Sequence, residues 1–511
     1  MVKKELNILV KGAGIVFIGL IVSRLFGYLF RLVVAKIGTE QYGLLSLGLA
    51  ITGILSTIAL VGLHTGVLRY IAYYKSKDEI GKIKGVINFS LKIPFIISII
   101  FSILLFVFAE FISNTFFHNP DLILVLRIMS FYIPFSVIST ILLNGLTAIE
   151  KIQYEVYIKN IFEKVFVFLF SIIIIYIGYG LLGVAFAYVL TSFLILIFSI
   201  YYFRKNFSSI LKGVKPSSVS KELLSYSWPL LLTNFIDIII SWTNLLFLGF
   251  FKDASQVGIY NVALPTAMLL IVVPRALLSL FIPVVTSLFA QDNNENIKNL
   301  YEIMNKWIFI INFPLFLILF FFSEPILRFL FGNSYTSGAI VLSILSFSYF
   351  YSTIFHTSTR MLNIIGKNKV IFNAGILIFT SNIILNLFLV PLFDIVGAAV
   401  ATGVSIILGG TLVGGLTYKY LKMQPISFKL IKIFISSLTS IFIIYFITKL
   451  IFDPVPLWIL IPLFILFGVI YLVILIYLRT FDKHDLEVIN FVEEKTRIKL
   501  SLVKKVLFRG D

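Results

Sequence analysis

Apolar residues in this chain neither alternate nor recur once per helical turn. They run on for about 20 residues before a polar cluster interrupts them, the length that crosses a roughly 30 Å hydrocarbon layer as a helix. Such runs occupy 9–35, 42–64, 86–109, 121–146, 157–177, 181–203, 224–250, 257–287, 303–323, 338–362, 370–391, 395–418, 430–450 and 457–478. An unpaired peptide group costs several kcal/mol in hydrocarbon, and barrel strands would alternate over about ten residues, so the runs predict helices. The expected fold class is an all-α polytopic membrane protein with fourteen transmembrane helices. The first run carries Arg24 and Arg31 and lacks a small-residue cleavage site after a short apolar core. It reads as a retained span and not as a removable signal.

The polar interruptions are as informative as the runs. Lys and Arg collect in alternate loops: at Lys3 to Lys11, Arg69 to Lys84, Lys151 to Lys164, Arg204 to Lys221, Lys298 and Lys306, Arg360 to Lys369, and Lys419 to Lys432. The intervening loops hold only Lys36, Lys252, Arg328 and Lys449, beside acidic residues such as Glu40, Glu110, Asp253 and Glu324. Cytoplasmic loops carry the basic excess, so both termini are expected in the cytoplasm of a multi-pass protein of the cell membrane.

Composition adds exclusions. Apolar residues fill 59% of the 511 positions and charged ones 13%, outside the range of soluble globular chains. The net charge of +18 is spread over short loops beside spans, so anionic lipid is the expected neighbour and nucleic acid is not. There is no cysteine, and the four histidines, at 64, 118, 356 and 484, form no ligand cluster in the sequence. No metal site and no cofactor is therefore expected.

The two halves of the chain repeat one another. Gly38-Thr39-Glu40-Gln41-Tyr42-Gly43-Leu44 corresponds to Asp253-Ala254-Ser255-Gln256-Val257-Gly258-Ile259, about 215 residues on. Ile149-Glu150-Lys151 and Gly183 to Ala187 match Ile365-Gly366-Lys367 and Gly397 to Ala401 at nearly the same offset. Six spans separate the copies, an even number, so the halves share one orientation. The expected layout is two parallel six-helix lobes around a central cleft, plus two extra C-terminal helices. The segments are an N-lobe at 1–203, a cytoplasmic linker at 204–223, a C-lobe at 224–422, helices 13 and 14 at 423–478 and a tail at 479–511. The last two spans provide either a groove for a lipid tail or structural support. In the tail Ile498, Leu502, Val503, Val506 and Leu507 recur at helical spacing beside Lys499, Lys504 and Lys505, as in a basic amphipathic helix on a membrane surface.

Ser23-Arg24-Leu25-Phe26-Gly27-Tyr28-Leu29-Phe30-Arg31, followed by Ala35, Gly38 and Gln41 to Leu44, resembles the opening signature of the Wzx-type flippases. These are the polysaccharide branch of the multidrug/oligosaccharidyl-lipid/polysaccharide (MOP) superfamily. Val257 to Asn261 and Phe281-Ile282-Pro283 agree with it in the second half. The resemblance implies export of a polyprenyl phosphate or pyrophosphate carrying an oligosaccharide, from the cytoplasmic to the outer leaflet, by alternating access and without catalysis. The partners expected with it are that lipid-linked oligosaccharide, membrane lipids, and a glycan polymerase or glycosyltransferases, with the chain itself a monomer. One departure is Asn244, where relatives often carry an acidic residue.

Charges inside spans cost about 2.5–3.5 kcal/mol each on insertion scales, so they persist where they face a cavity or a partner. Arg24 lies about 22 Å along the first span, and Arg31 two turns further on the same face. Asp237 stands as the carboxylate deep in a span, at nearly the repeat offset from Arg24. It is expected either to pair with Arg24 or to cap a polar side chain nearby. Arg275 sits in the eighth span among Pro265, Pro274 and Pro283, where a kink is expected. Arg360 closes the set near the end of the tenth span. Arg24, Arg31, Asp237, Arg275 and Arg360 are thus the candidate substrate-binding residues, cationic groups suited to phosphate. The alternative is a MATE-like cation-coupled exporter of drugs or small molecules. That chemistry needs several buried carboxylates, and this chain sets several arginines against one aspartate. A membrane glycosyltransferase would need acidic metal ligands in a sizeable outer loop, and these loops are short.

Overall fold

The computed structural model describes residues 2–425, 430–451, 456–481, 485–486 and 493, with backbone alone at 2–14, 17, 209, 237, 280, 283 and 457. Every regular element among the described residues is helical. Twelve helices among them are long and apolar enough to cross a membrane. The amphipathic segment expected at 498–507 lies outside the described residues.

Three helices depart from simple rods, each for a local reason. The longest, Asn368–Leu421, runs for 54 residues but breaks where Phe393 and Asp394 leave helical geometry, Asp394 at a φ of 52°. Aspartate tolerates this left-handed conformation better than most residues, and Pro391 just before it already weakens the ladder. The stretch expected to span at 157–177 is helical from Ile152, but Val156–Phe162 forms a π-turn before Glu163–Tyr176 resumes the α-helix. In the eighth expected span, Ala254–Ala267 and Val272–Phe289 are joined by a 3₁₀ turn at Met268–Ile271.

The prolines explain that last break. A proline at position i cannot donate to the carbonyl at i−4, so Pro265 strands the carbonyl of Asn261 and Pro274 that of Leu270. In a membrane such groups must be paired by neighbours. Asn312 Nδ2 supplies one partner, at 2.9 Å from the Leu270 oxygen in a buried setting. Arg31 Nη1 supplies the other, 3.4 Å from the Asn261 oxygen.

The chain divides into two compact units, 1–261 and 262–511. In the first, the Ser220–Phe251 helix, expected to open the second lobe, packs along Thr39–Ala59 and Leu63–Lys75. Tyr74 donates to Glu222 at 2.7 Å at the end of that contact. The same unit holds a reciprocal contact between the two copies of the repeated motif. A Cβ on Gly43 would stand 1.7 Å from the Ala254 oxygen, and one on Gly258 would stand 2.0 Å from the Thr39 oxygen. Thr39 accepts from Ser255 at 2.7 Å, and Asn261 Nδ2 donates to Ser46 Oγ at 2.6 Å. Gly43 answers Gly258 and Ser46 answers Asn261 at the repeat offset, so equivalent positions of the two copies touch, and only glycine permits the approach.

In the second unit, the Asn294–Phe321 helix is the hub. Phe313 stacks on Phe309 at 5.0 Å and on Phe434 at 5.1 Å, and Phe316 stacks on Phe350 at 4.8 Å. Through Phe434 and through Tyr471, whose hydroxyl donates to the Ile310 carbonyl at 2.7 Å, the last two spans are fixed to this helix. Below them the buried Lys306 ammonium pairs with Asp485, which ties the start of the tail to the same hub.

Candidate functional site

Each unit gathers its own set of cations. In the first, the Val2–Val34 helix lies against the π-turn and the α-helix that follows it, with Gly19 seated on Val156. Arg31 therefore lies near Lys164, and the helix that carries Arg24 runs along the π-turn that carries Lys159. Arg24 is exposed and makes no hydrogen bond or ion pair among the described residues. Arg31 is engaged instead. Besides the proline-freed carbonyl, Nη1 lies 3.1 Å from Tyr42 Oη and 3.4 Å from Asn261 Oδ1. It ties the first helix to both copies of the motif. The two arginines of one face thus do different things, one held and one presented.

Lys159 and Lys164 were counted above as loop charges marking the cytoplasmic side. The structure places both within the Ile152–Tyr176 helical stretch. Lys159 sits in the π-turn and donates to Thr140 Oγ1 at 3.1 Å. Lys164 pairs with Glu163 at 2.7 Å and lies close enough to Arg31 and Tyr132 to feel their charge. Glu163 is thus a further carboxylate inside an expected span, in addition to the Asp237 that the sequence singled out. The Tyr188 ring meets Phe30 edge-on at 5.4 Å and stands near Arg31, Tyr42, Tyr132 and Glu163. The result is a cationic group with tyrosine hydroxyls around it and one carboxylate as counter-charge. Such a group suits a phosphate bearing more than one negative oxygen. π-Turns occur often where a helix carries function, because they re-aim side chains.

In the second unit Arg275 and Arg360 both lie near His356. Both act on the His356 ring, and Arg275 also on Tyr349. His356 Nε2 lies 3.4 Å from Ser352 Oγ. Both guanidinium groups are exposed. Arg275 follows Pro274, past the 3₁₀ turn, so the expected kink is present and lies on the N-terminal side of the arginine. Asp237 stands in the Ser220–Phe251 helix, and its side chain lies outside the described residues, so its pairing with Arg24 is neither made nor excluded.

Against known proteins, the model of the polysaccharide biosynthesis protein family matches residues 9–291, and that of the MatE family matches residues 229–388. An uncharacterized membrane protein of Methanocaldococcus jannaschii is 25% identical over 414 residues, covering 77% of this chain and 80% of that one. The probable flippase AglR of Haloferax volcanii is 27% identical over 281 residues, which cover 53% of this chain and 56% of AglR. Among solved structures, the lipid II flippase MurJ in an inward closed conformation matches with a TM-score of 0.71. The match has 19% identity and covers 91% of this chain and 98% of that one, a likeness of fold.

Proposed function

Because the chain belongs to the polysaccharide biosynthesis protein family, we propose that it is a flippase carrying a polyprenyl phosphate- or pyrophosphate-linked oligosaccharide from the cytoplasmic to the outer leaflet. The observation that carries this reading is chemical. Arg24 is exposed and makes no hydrogen bond or ion pair among the described residues, on a helix packed along the segment that carries Lys159 and Lys164, and in the other unit Arg275 and Arg360 both lie near His356. Cations inside a membrane-spanning bundle are retained where an anion passes. The names of relatives support this reading: AglR is called a probable flippase, and Agl15 of Haloferax volcanii a probable low-salt glycan biosynthesis flippase.

In this reading the chain has fourteen spans. The break at Phe393 and Asp394 divides the longest helix into two, and Ile152–Tyr176 crosses despite its π-turn. Both termini are cytoplasmic. The two repeat halves expose the substrate alternately to either side, and Arg24, Arg31, Asp237, Arg275 and Arg360, now with Lys159 and Lys164, serve its phosphates. Support for a two-fold relation of the repeated motifs comes from the reciprocal contact of Gly43 and Gly258.

The match of the MatE model to residues 229–388 favours one second reading, a cation-coupled exporter of drugs or small molecules. A single assay separates the two. Proteoliposomes holding the full chain are expected to flip a labelled polyprenyl-pyrophosphate oligosaccharide, with Arg24→Ala and Arg275→Ala each slowing it by more than tenfold at matched reconstitution. Flux of cationic dyes without lipid flipping overturns the proposal in favour of the exporter.

A further inference from the structure

The surface of the Gly180–Leu211 helix carries an open cavity of about 520 Å³, and none of the residues assigned to transport is among its described lining. Its lining among the described residues comes from this one helix: Ile197, Ile200, Tyr201, Arg204, Lys205 and Ser208. At 1.5 Å per residue the lining extends roughly 16 Å along the helix axis. Over that length it changes from branched alkyl chains to a phenol, then to two cations and a hydroxyl.

A phospholipid presents groups in that order from the bilayer interior outward: acyl chain, ester region, phosphate. We propose that this cavity binds an anionic membrane phospholipid in the leaflet on the basic side of the protein, its phosphate held by Arg204 and Lys205. Three observations carry the assignment. Arg204 and Lys205 are exposed at the end of a membrane-spanning helix and make no ion pair among the described residues, so their charge is available to a ligand. Arginine offers phosphate a fork of donors and lysine a point charge. Ile197 and Tyr201 are 45% and 57% exposed, apolar surface left open directly beside those cations. Tyrosine at this level is the residue type that membrane interfaces favour.

The neighbourhood is also held by packing and hydrogen bonds. Tyr202 stacks on Tyr154 at 4.5 Å, and Asn206 donates to the Tyr202 carbonyl at 2.7 Å. Lys84 Nζ lies 3.4 Å from the Leu211 carbonyl and 2.7 Å from that of Val214, which holds the end of the helix. A cavity of this size falls within the range of roughly 300–1,000 Å³ typical of small-molecule sites. The assignment requires only that the helix lie in a membrane, and it stands or falls apart from the flippase reading.

The test uses the purified full chain in neutral detergent and reads bound lipid by native mass spectrometry and the thermal midpoint by fluorimetry. Phosphatidylglycerol, phosphatidylcholine and inorganic phosphate are titrated separately. Phosphatidylglycerol is expected to remain bound and to raise the midpoint. The double substitution Arg204→Gln with Lys205→Gln is expected to weaken its retention at least tenfold, and Arg204→Lys with Lys205→Arg to preserve it. Ile200→Trp, which fills the cavity without touching charge, is expected to weaken retention as well and covers the case of a misfolded double variant. Equal retention of phosphatidylglycerol by the native chain and the folded double variant overturns the proposal. So does equal stabilisation by phosphatidylcholine, or the whole effect appearing with inorganic phosphate alone.

Discussion

Asn312 donates its side-chain amide to the carbonyl of Leu270 at 2.9 Å, and that carbonyl is the one Pro274 leaves without a helical donor. Removing the donor strands a buried acceptor, which costs about 1–3 kcal/mol. Asn312→Leu should therefore lower the thermal midpoint clearly in the native background. In a Pro274→Ala background the helix regains its own donor, and the same substitution should cost much less. Scanning fluorimetry on the four proteins of this cycle measures the coupling, and identical losses in both backgrounds would refute the assignment.

Gly43→Ala and Gly258→Ala each push a methyl group into a backbone carbonyl, at 1.7 Å and 2.0 Å, and no rotamer change relieves either clash. Overpacking of this kind costs about 1–3 kcal/mol, more when backbone must move. Both variants should show reduced recovery of monodisperse protein after heating. Gly27→Ala, with no atom within 4 Å of the added carbon, serves as the control and should match the native chain.

Arg24 and Arg31 share a helix face but should respond to alanine in opposite ways. Arg31→Ala removes donors from Tyr42, from Asn261 and from a proline-freed carbonyl, so it should lower the thermal midpoint. Arg24→Ala removes no hydrogen bond or ion pair among the described residues and should change stability by no more than about 0.5 kcal/mol, with little shift of the midpoint. Flipping should nevertheless fall more than tenfold. A strong loss of stability in Arg24→Ala would assign that arginine a packing role.

Glu163 offsets Lys164, so Glu163→Gln should raise the local positive charge and tighten binding of an anionic substrate, seen as a lower half-saturating concentration. Lys164→Gln should do the reverse. A parallel fall in affinity for both variants would show that the pair acts as one structural unit.

An outward-moving anion gains about 2.3 kcal/mol per charge per 100 mV of inside-negative potential. Flipping of a pyrophosphate-linked substrate should accelerate when such a potential is imposed with a potassium gradient and an ionophore. Rates indifferent to the imposed potential would argue for coupling to an ion.

Most of the fold was legible because its solvent is lipid. A run of about 20 apolar residues has one stable answer there, and the repeat of Gly38 to Leu44 at Asp253 to Ile259 marked the duplication. Pro265 and Pro274 likewise announced a break near Met268–Ile271. The groups that repair it, Arg31 and Asn312, were not legible, since each arrives from another helix. Lys159 and Lys164 were counted with the loop charges for a different reason, and Glu163 between them was passed over. Counting basic residues near span ends treats any such lysine as a loop residue. The signal for their true place was the apolar run that follows Lys164 directly, with no glycine or proline between Lys151 and Ile177 to mark a turn. The π-turn that aims Lys159 has no sequence signature of its own.

The reciprocal seat of Gly43 and Gly258 bears on the ancestry of the chain. Two surfaces that fit each other at equivalent positions are what a half-length protein presents to a second copy of itself. Before duplication, a change at this seat altered both sides at once; after fusion each side drifted alone. Tyr42 holds Arg31, whereas the equivalent position of the second copy is Val257 and that of Arg31 is Leu246. Asymmetry between the two copies has thus accumulated around a seat that remains symmetric.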